Sequence, residues 1–151
     1  MKKLAAAALA TLLMAPAVAQ EVRPDQAINF RKGVMQVIQW HFLPMVQMIK
    51  GERPFDAALY ARNVAMIETM SRLVPEGFTP GSDKAPAGLT TRALPAVWGD
   101  PAKFKTAVQR FQDEAAKTVA IAKTGDEKAM RAQVGTLAKT CAGCHEDFRA
   151  K

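Results

Sequence analysis

Residues 126–148, DEKAMRAQVGTLAKTCAGCHEDF, set Met130, Val134, Leu137, Cys141, Cys144 and Phe148 at steps of three and four. That spacing gathers side chains on one face of an α-helix. Asp126 is a good first-turn cap, and Gly125 before it ends whatever precedes. Upstream the same period recurs three times. Phe104, Val108, Phe111, Ala115, Val119 and Ala122 follow the cap pair Asp100-Pro101. Ala57, Leu59, Tyr60, Val64, Ile67, Met70, Leu73 and Val74 follow Asp56, and Pro75 closes that helix. Ile28, Arg31, Val34, Met35, Ile38, Phe42, Met45 and Ile49 run from Pro24-Asp25 to a stop at Gly51 and Pro54. Pro44 lies inside the last of these and predicts a kink, because it cannot donate to the preceding turn.

Between residues 75 and 100 stand Pro75, Gly77, Pro80, Gly81, Pro86, Gly88, Pro95 and Gly99, a density of breakers that excludes a long regular element. Period-two alternation is absent beyond a few positions, so no strand competes. The expected architecture is all-α: an antiparallel four-helix bundle with two short turns and one long crossover connection.

The first residues have a different character. Lys2 and Lys3 precede an apolar run that ends in Ala17-Val18-Ala19, the order of a secretory signal peptide with cleavage after Ala19. Removing residues 1–19 leaves 132 of 151, which suits a single domain over residues 20–151. The 21 basic residues fall to 19 against 14 acidic ones, a formal charge of +5. The densest basic stretch, residues 103–110, holds three basic residues in eight, too few for a nucleic-acid-binding strip. No later segment is apolar enough to insert in a membrane, so the exported product is expected to be soluble and periplasmic.

Cys141-Ala142-Gly143-Cys144-His145 is a C-x-x-C-H motif, the attachment signature of c-type haem. Two thiols three positions apart can add to the two vinyl groups of one porphyrin, and the next residue then aims an imidazole at the iron. Small Ala142 and Gly143 let the ring approach the backbone. A structural zinc site needs four ligands, yet His41 is the only other histidine and there is no third cysteine. A thioredoxin-like pair belongs at a helix start beside a βαβ unit, not near the end of a helix in an all-α chain. The cofactor expected is one covalently bound haem c, near the C-terminal end of the bundle.

Six residues follow His145, so any sixth iron ligand must come from upstream. This layout resembles the cytochrome c′ family. The likeness is carried by Phe30-Arg31-Lys32, the turn from Lys50-Gly51 to Pro54-Phe55-Asp56, Phe78 with Pro80-Gly81, Ala96-Val97-Trp98, and residues 141–149 around the haem motif. The resemblance implies His145 as the metal ligand, with Arg149 one helical turn later on the same face. It implies that Arg31 pairs with a haem propionate, that Lys32 stands where glutamine is frequent, and that Phe78 and Asp83 lie along the haem edge. Met35 matches the position facing the vacant side of the iron. There it either crowds an open, five-coordinate site or, as in low-spin relatives of the c-556 type, bonds the metal. The family also implies binding of nitric oxide and carbon monoxide, single-electron exchange with an unspecified redox partner, and a homodimer built on the first two helices.

The remaining methionines, Met45, Met48, Met66, Met70 and Met130, read as core. His41, six residues past Met35, falls off the iron-facing side and reads as a surface or interface residue. Trp40 and Trp98 read as packing residues, with Trp40 also a candidate dimer contact. No acid–base pair or nucleophile stands out, so catalytic turnover is not expected.

Overall fold

A computed structural model describes residues 22–151; the expected signal peptide lies outside the described residues. Four long helices form the body: α1 (Pro24–Lys50), α2 (Ala57–Leu73), α4 (Pro101–Ala122) and α5 (Glu127–Phe148), with a short α3 (Ala96–Gly99) before α4. Three N-caps act as the sequence predicts. Asp56 accepts from Leu59 N at 2.9 Å, Asp100 from Lys103 N at 3.0 Å and Asp126 from Ala129 N at 3.0 Å. Each satisfies an N–H that the first helical turn leaves without a partner. Gly51 ends α1 in the left-handed region at φ 74°, where a side chain would be strained.

The four helices run alternately up and down. At one end, Tyr60 of α2 donates its hydroxyl to Met130 O of α5 at 3.0 Å. Arg131 of α5 donates to Met48 O near the end of α1 and stacks over Phe55 at 4.7 Å. A cation here offsets the negative pole of α1. The core between the helices holds Met45, Met48, Tyr60, Val64, Ile67, Ala115, Met130, Val134 and Leu137, all close to full burial. Each large apolar side chain so buried contributes roughly 1.5–3 kcal/mol.

The stripe on α1 differs from expectation in one step. Met48 is fully buried while Ile49 is 38% exposed, because after Met45 the inward face is reached by a step of three rather than four. Met66 also leaves the core, at 38% exposure. Pro44 does not end α1, which continues to Lys50. The carbonyl that its missing N–H leaves free belongs to Trp40, on the solvent side, where water can satisfy it.

The crossover is held down at named points. Residues 74–77 form a 3₁₀ turn against α1, so close that a Cβ on Gly77 would stand 2.5 Å from Arg31 Cβ. No other residue fits there without moving α1. Trp98 anchors the approach to α4 by donating its indole N–H to Thr79 O at 3.1 Å. Where the crossover meets the end of α5, Ala93 and Arg149 form an isolated antiparallel bridge. No helix of the described residues is long and apolar enough to cross a membrane.

Candidate haem site

On α5 the three residues of the motif share one face, since steps of three and four from Cys141 reach Cys144 and His145. All three open onto a single cavity of about 560 Å³ at the end of the bundle opposite the Tyr60–Met130 contact. Its walls are apolar. Met35, Ile38 and Phe42 come from α1, Phe104, Val108 and Phe111 from α4, and Phe78 from the crossover. Phe78 and Phe104 meet edge-on at 4.8 Å, and Phe104 meets Phe148 edge-on at 5.3 Å, an arrangement aromatic quadrupoles favour.

Burial pushes both thiols up from their ordinary range; at Cys144 the neighbouring Cys141 and Asp147 add to it. Metal-binding and redox-active cysteines need the opposite, a stabilised thiolate. Burial, followed by the positive charges of Arg149 and Arg92, pushes His145 down, keeping its imidazole neutral and its lone pair available. Among the described residues no three His, Cys, Asp or Glu side chains gather to hold a metal ion. A metal beside His145 must therefore bring other ligands with it. A porphyrin does so, and the largely apolar walls and the paired thiols fit one.

The sequence-predicted residues fare differently. Met35 is half-buried, lines the cavity and packs against the core. Phe78 lines the cavity, and Lys32 is an exposed residue at its rim. Arg31 also lines it, but 5% exposed and with its guanidinium turned into the crossover. One terminal nitrogen donates to Gly77 O and Ser82 Oγ, both at 2.9 Å; the other donates to Ser82 O at 2.8 Å and Thr91 Oγ1 at 2.7 Å. The four terminal N–H bonds are thereby used, and Nε–H is the one donor left for a propionate. The same guanidinium lies 5.1 Å from the Phe78 ring centre and 5.6 Å from that of Trp98.

Two expectations need correction. Asp83 is not among the residues lining the cavity; Thr90, Thr91, Arg92 and Ala93 take that edge instead. The crossover is gathered onto Arg31 through Ser82 and Thr91, which brings the later segment inward. Arg149 reaches the cavity but not as a helical residue. It follows the last turn of α5 with extended dihedrals, φ −130° and ψ 129°, because its backbone pairs with Ala93. His41 lies away from the cavity, its Nδ1 3.0 Å from Asn63 Oδ1 between α1 and α2. Of the residues missed, Arg92 and Thr91 carry the most polar contacts; lying in a stretch without periodicity, they gave no signal.

The chain matches the family described as Cytochrome C' over residues 26–149. It belongs to the cytochrome c′ family. The cytochrome c′ of Rubrivivax gelatinosus is 40% identical over 129 residues, 85% of this chain and 98% of that protein. Its crystal structure superposes with a TM-score of 0.79, covering 87% of this chain and all of the other. A nitric oxide complex of a variant of cytochrome c prime from Alcaligenes xylosoxidans is 34% identical, with a TM-score of 0.76 over 85% of this chain and 98% of that one. A cytochrome c-556 from Agrobacterium tumefaciens is 30% identical over 82% of this chain and 97% of its own. As a cytochrome c′ family member the chain is a c-type haem cytochrome, and its cofactor is a covalently bound haem c. Cys141 and Cys144 are its only cysteines, so they are the residues available for thioether attachment.

Proposed function

We propose that this protein is an exported, periplasmic cytochrome c′ that binds nitric oxide and carbon monoxide at an open iron position and exchanges single electrons. The observation that carries it is that His145 of α5 opens onto the same largely apolar cavity as Met35, Ile38 and Phe42 of α1, Met35 carrying a thioether that can bond iron. When bound, the haem supplies a coordination position for a small diatomic ligand and a one-electron change at its metal. The chain supplies the surroundings. His145 would hold the iron, and Met35 with Ile38, Phe42 and Phe78 would give the bound ring and a small ligand apolar surroundings. Lys32, Arg92, Arg149 and the remaining Nε–H of Arg31 line the cavity with no carboxylate among its lining residues, a charge that suits a ring bearing two propionates. The role proposed is binding and electron exchange without catalytic turnover.

The second reading, an electron carrier of the c-556 type with Met35 bonded to iron, draws support from the c-556 relative. The packing of Met35 against the core and the greater identity to a cytochrome c′ favour the open site. Titrating the reduced protein with carbon monoxide separates the two. The open site predicts a broad high-spin spectrum that shifts on adding the gas. Met35→Leu, a near volume-conserving change, should leave that spectrum in place. Sharp split bands indifferent to the gas, turned high-spin by Met35→Leu, would establish the carrier.

The same proposal includes a homodimer on α1 and α2. Phe30, Val37, Trp40 and Leu43 are exposed at 40, 38, 78 and 53% along α1, and Met66 of α2 is exposed at 38%. Exposed aromatic anchors of this kind dominate interfaces. Trp40→Glu should weaken dimerisation by ~30-fold or more in sedimentation equilibrium. A wild-type chain that sediments as a monomer at high concentration would remove this part.

A further inference from the structure

The end of the crossover does more than return the chain to α4. Arg92 grips the C-terminal tail from two sides. Its carbonyl accepts from Ala150 N at 2.8 Å, while its Nε and one terminal nitrogen donate to Ala150 O at 3.0 and 2.7 Å. Leu94 N donates to Phe148 O at 2.9 Å, and this bond with that of Ala150 N to Arg92 O makes Ala93 and Arg149 an antiparallel bridge pair. The result is a clasp closed around the residue between Phe148 and Ala150. Arg149 has no choice of backbone: it is pinned on both sides, extended, with its side chain lining the cavity alongside that of His145.

The clasp is also tied to the other face of the cavity. Thr91 Oγ1 accepts from Arg31 of α1 at 2.7 Å and from Ala93 N at 3.2 Å. One hydroxyl thus joins the helix that carries Met35 to the segment that holds the tail of the helix that carries His145. Neither Arg92 nor Arg149 has a carboxylate partner among the described residues, so no ion pair draws either of them elsewhere.

We propose that Arg92 is a positioning residue for the iron-binding histidine: by clasping Ala150 it holds Arg149 as a cover over the His145 side of the haem, and Thr91 ties that cover to α1. This rests on His145 being the iron ligand and is independent of what Met35 does. A bare electrostatic role for Arg92 would survive replacement by lysine. The clasp would not survive intact, because an ammonium cannot reproduce two N–H bonds in a fixed fork.

The test uses the ¹⁵N-labelled holoprotein and two exchange rates: that of the Ala150 amide, and that of the His145 ring N–H not directed at iron. The ring N–H is observable with the sixth position open or filled. Arg92→Ala should speed exchange of the Ala150 amide by about tenfold or more, the loss expected when a hydrogen-bonded anchor is removed. Amides of the bundle centre, such as Ala115 at 0% exposure, should be unaffected. The ring N–H should also exchange faster in Arg92→Ala, as in Arg149→Ala, with Arg92→Lys intermediate. The double variant should exchange no faster than Arg149→Ala, as required of residues acting in series. An unchanged Ala150 amide in Arg92→Ala overturns the clasp. A faster Ala150 amide with an unchanged ring N–H, or effects that add in the double variant, overturns the positioning of Arg149. The Ala150 amide decides the clasp even if carbon monoxide titration goes against the open iron site.

Discussion

Replacing both Cys141 and Cys144 with alanine will give a chain from which acidified acetone extracts all of the pigment, where the unaltered protein keeps it. His145 alone holds haem by a single coordinate bond, which acid breaks by protonating the imidazole. Each single variant retains one thioether and should keep its colour, with the reduced α band moved to the red by the vinyl group left unsaturated. The double variant should also be much less stable. The walls from Phe42, Phe78, Phe104 and Phe111 surround a cavity of about 560 Å³, and loss of a tightly held occupant removes the stabilisation it gives to the folded state alone. Thermal unfolding monitored by circular dichroism reads this directly. Pigment that stays with the double variant would contradict the attachment.

Arg31→Ala carries the second large effect: a loss of about 3–5 kcal/mol, equivalent to a fall of roughly 10–20 °C in melting temperature, seen in unfolding of the holoprotein. The guanidinium is 5% exposed, and burial lowers its pKa without any carboxylate to offset the cost. Four hydrogen bonds to Gly77, Ser82 and Thr91 repay it. Alanine leaves the Gly77 and Ser82 carbonyls without their donor, the condition that makes buried hydrogen bonds expensive to lose. Arg31→Lys should fall between, since one ammonium cannot reach four acceptors in two directions. A change under about 1 kcal/mol for Arg31→Ala, the range of an ordinary surface residue, would mean that the crossover holds its place without it.

Much of the fold was legible because its signals are local. Asp56, Asp100 and Asp126 cap the helices they precede, and Gly51 stops α1, each through contacts within a few residues. The attachment motif was legible for the same reason, since one helical turn sets the relation of Cys141, Cys144 and His145. The contacts that shape the rest of the site are not local. Arg31 finds Ser82 and Thr91 at separations of 51 and 60 residues, and Arg92 finds Ala150 at 58. Residues 75–100 have no periodicity from which to infer which side chains turn inward; the family resemblance points to Asp83 at the cavity, and nothing in the sequence points to Thr90 to Ala93. Arg149 shows a related limit. Helical periodicity carries it onto the face of His145, but pairing with Ala93 ends the helix first and delivers the side chain there by another path. Met48 and Ile49 mark the resolution of the stripe itself, because steps of three and four are both open to a helix and packing chooses between them.

Attachment of a porphyrin to α5 by two thioether bonds, with His145 on its iron, leaves a direct spectroscopic mark. The most direct measurement is the spectrum of the unaltered protein, purified from a host that matures such cytochromes, in alkaline pyridine after reduction. Two saturated vinyl groups predict the α band of a doubly attached haem, in one equivalent per chain, still with the polypeptide after acid-acetone treatment. A band at the position of free haem, or a colourless chain, would contradict it.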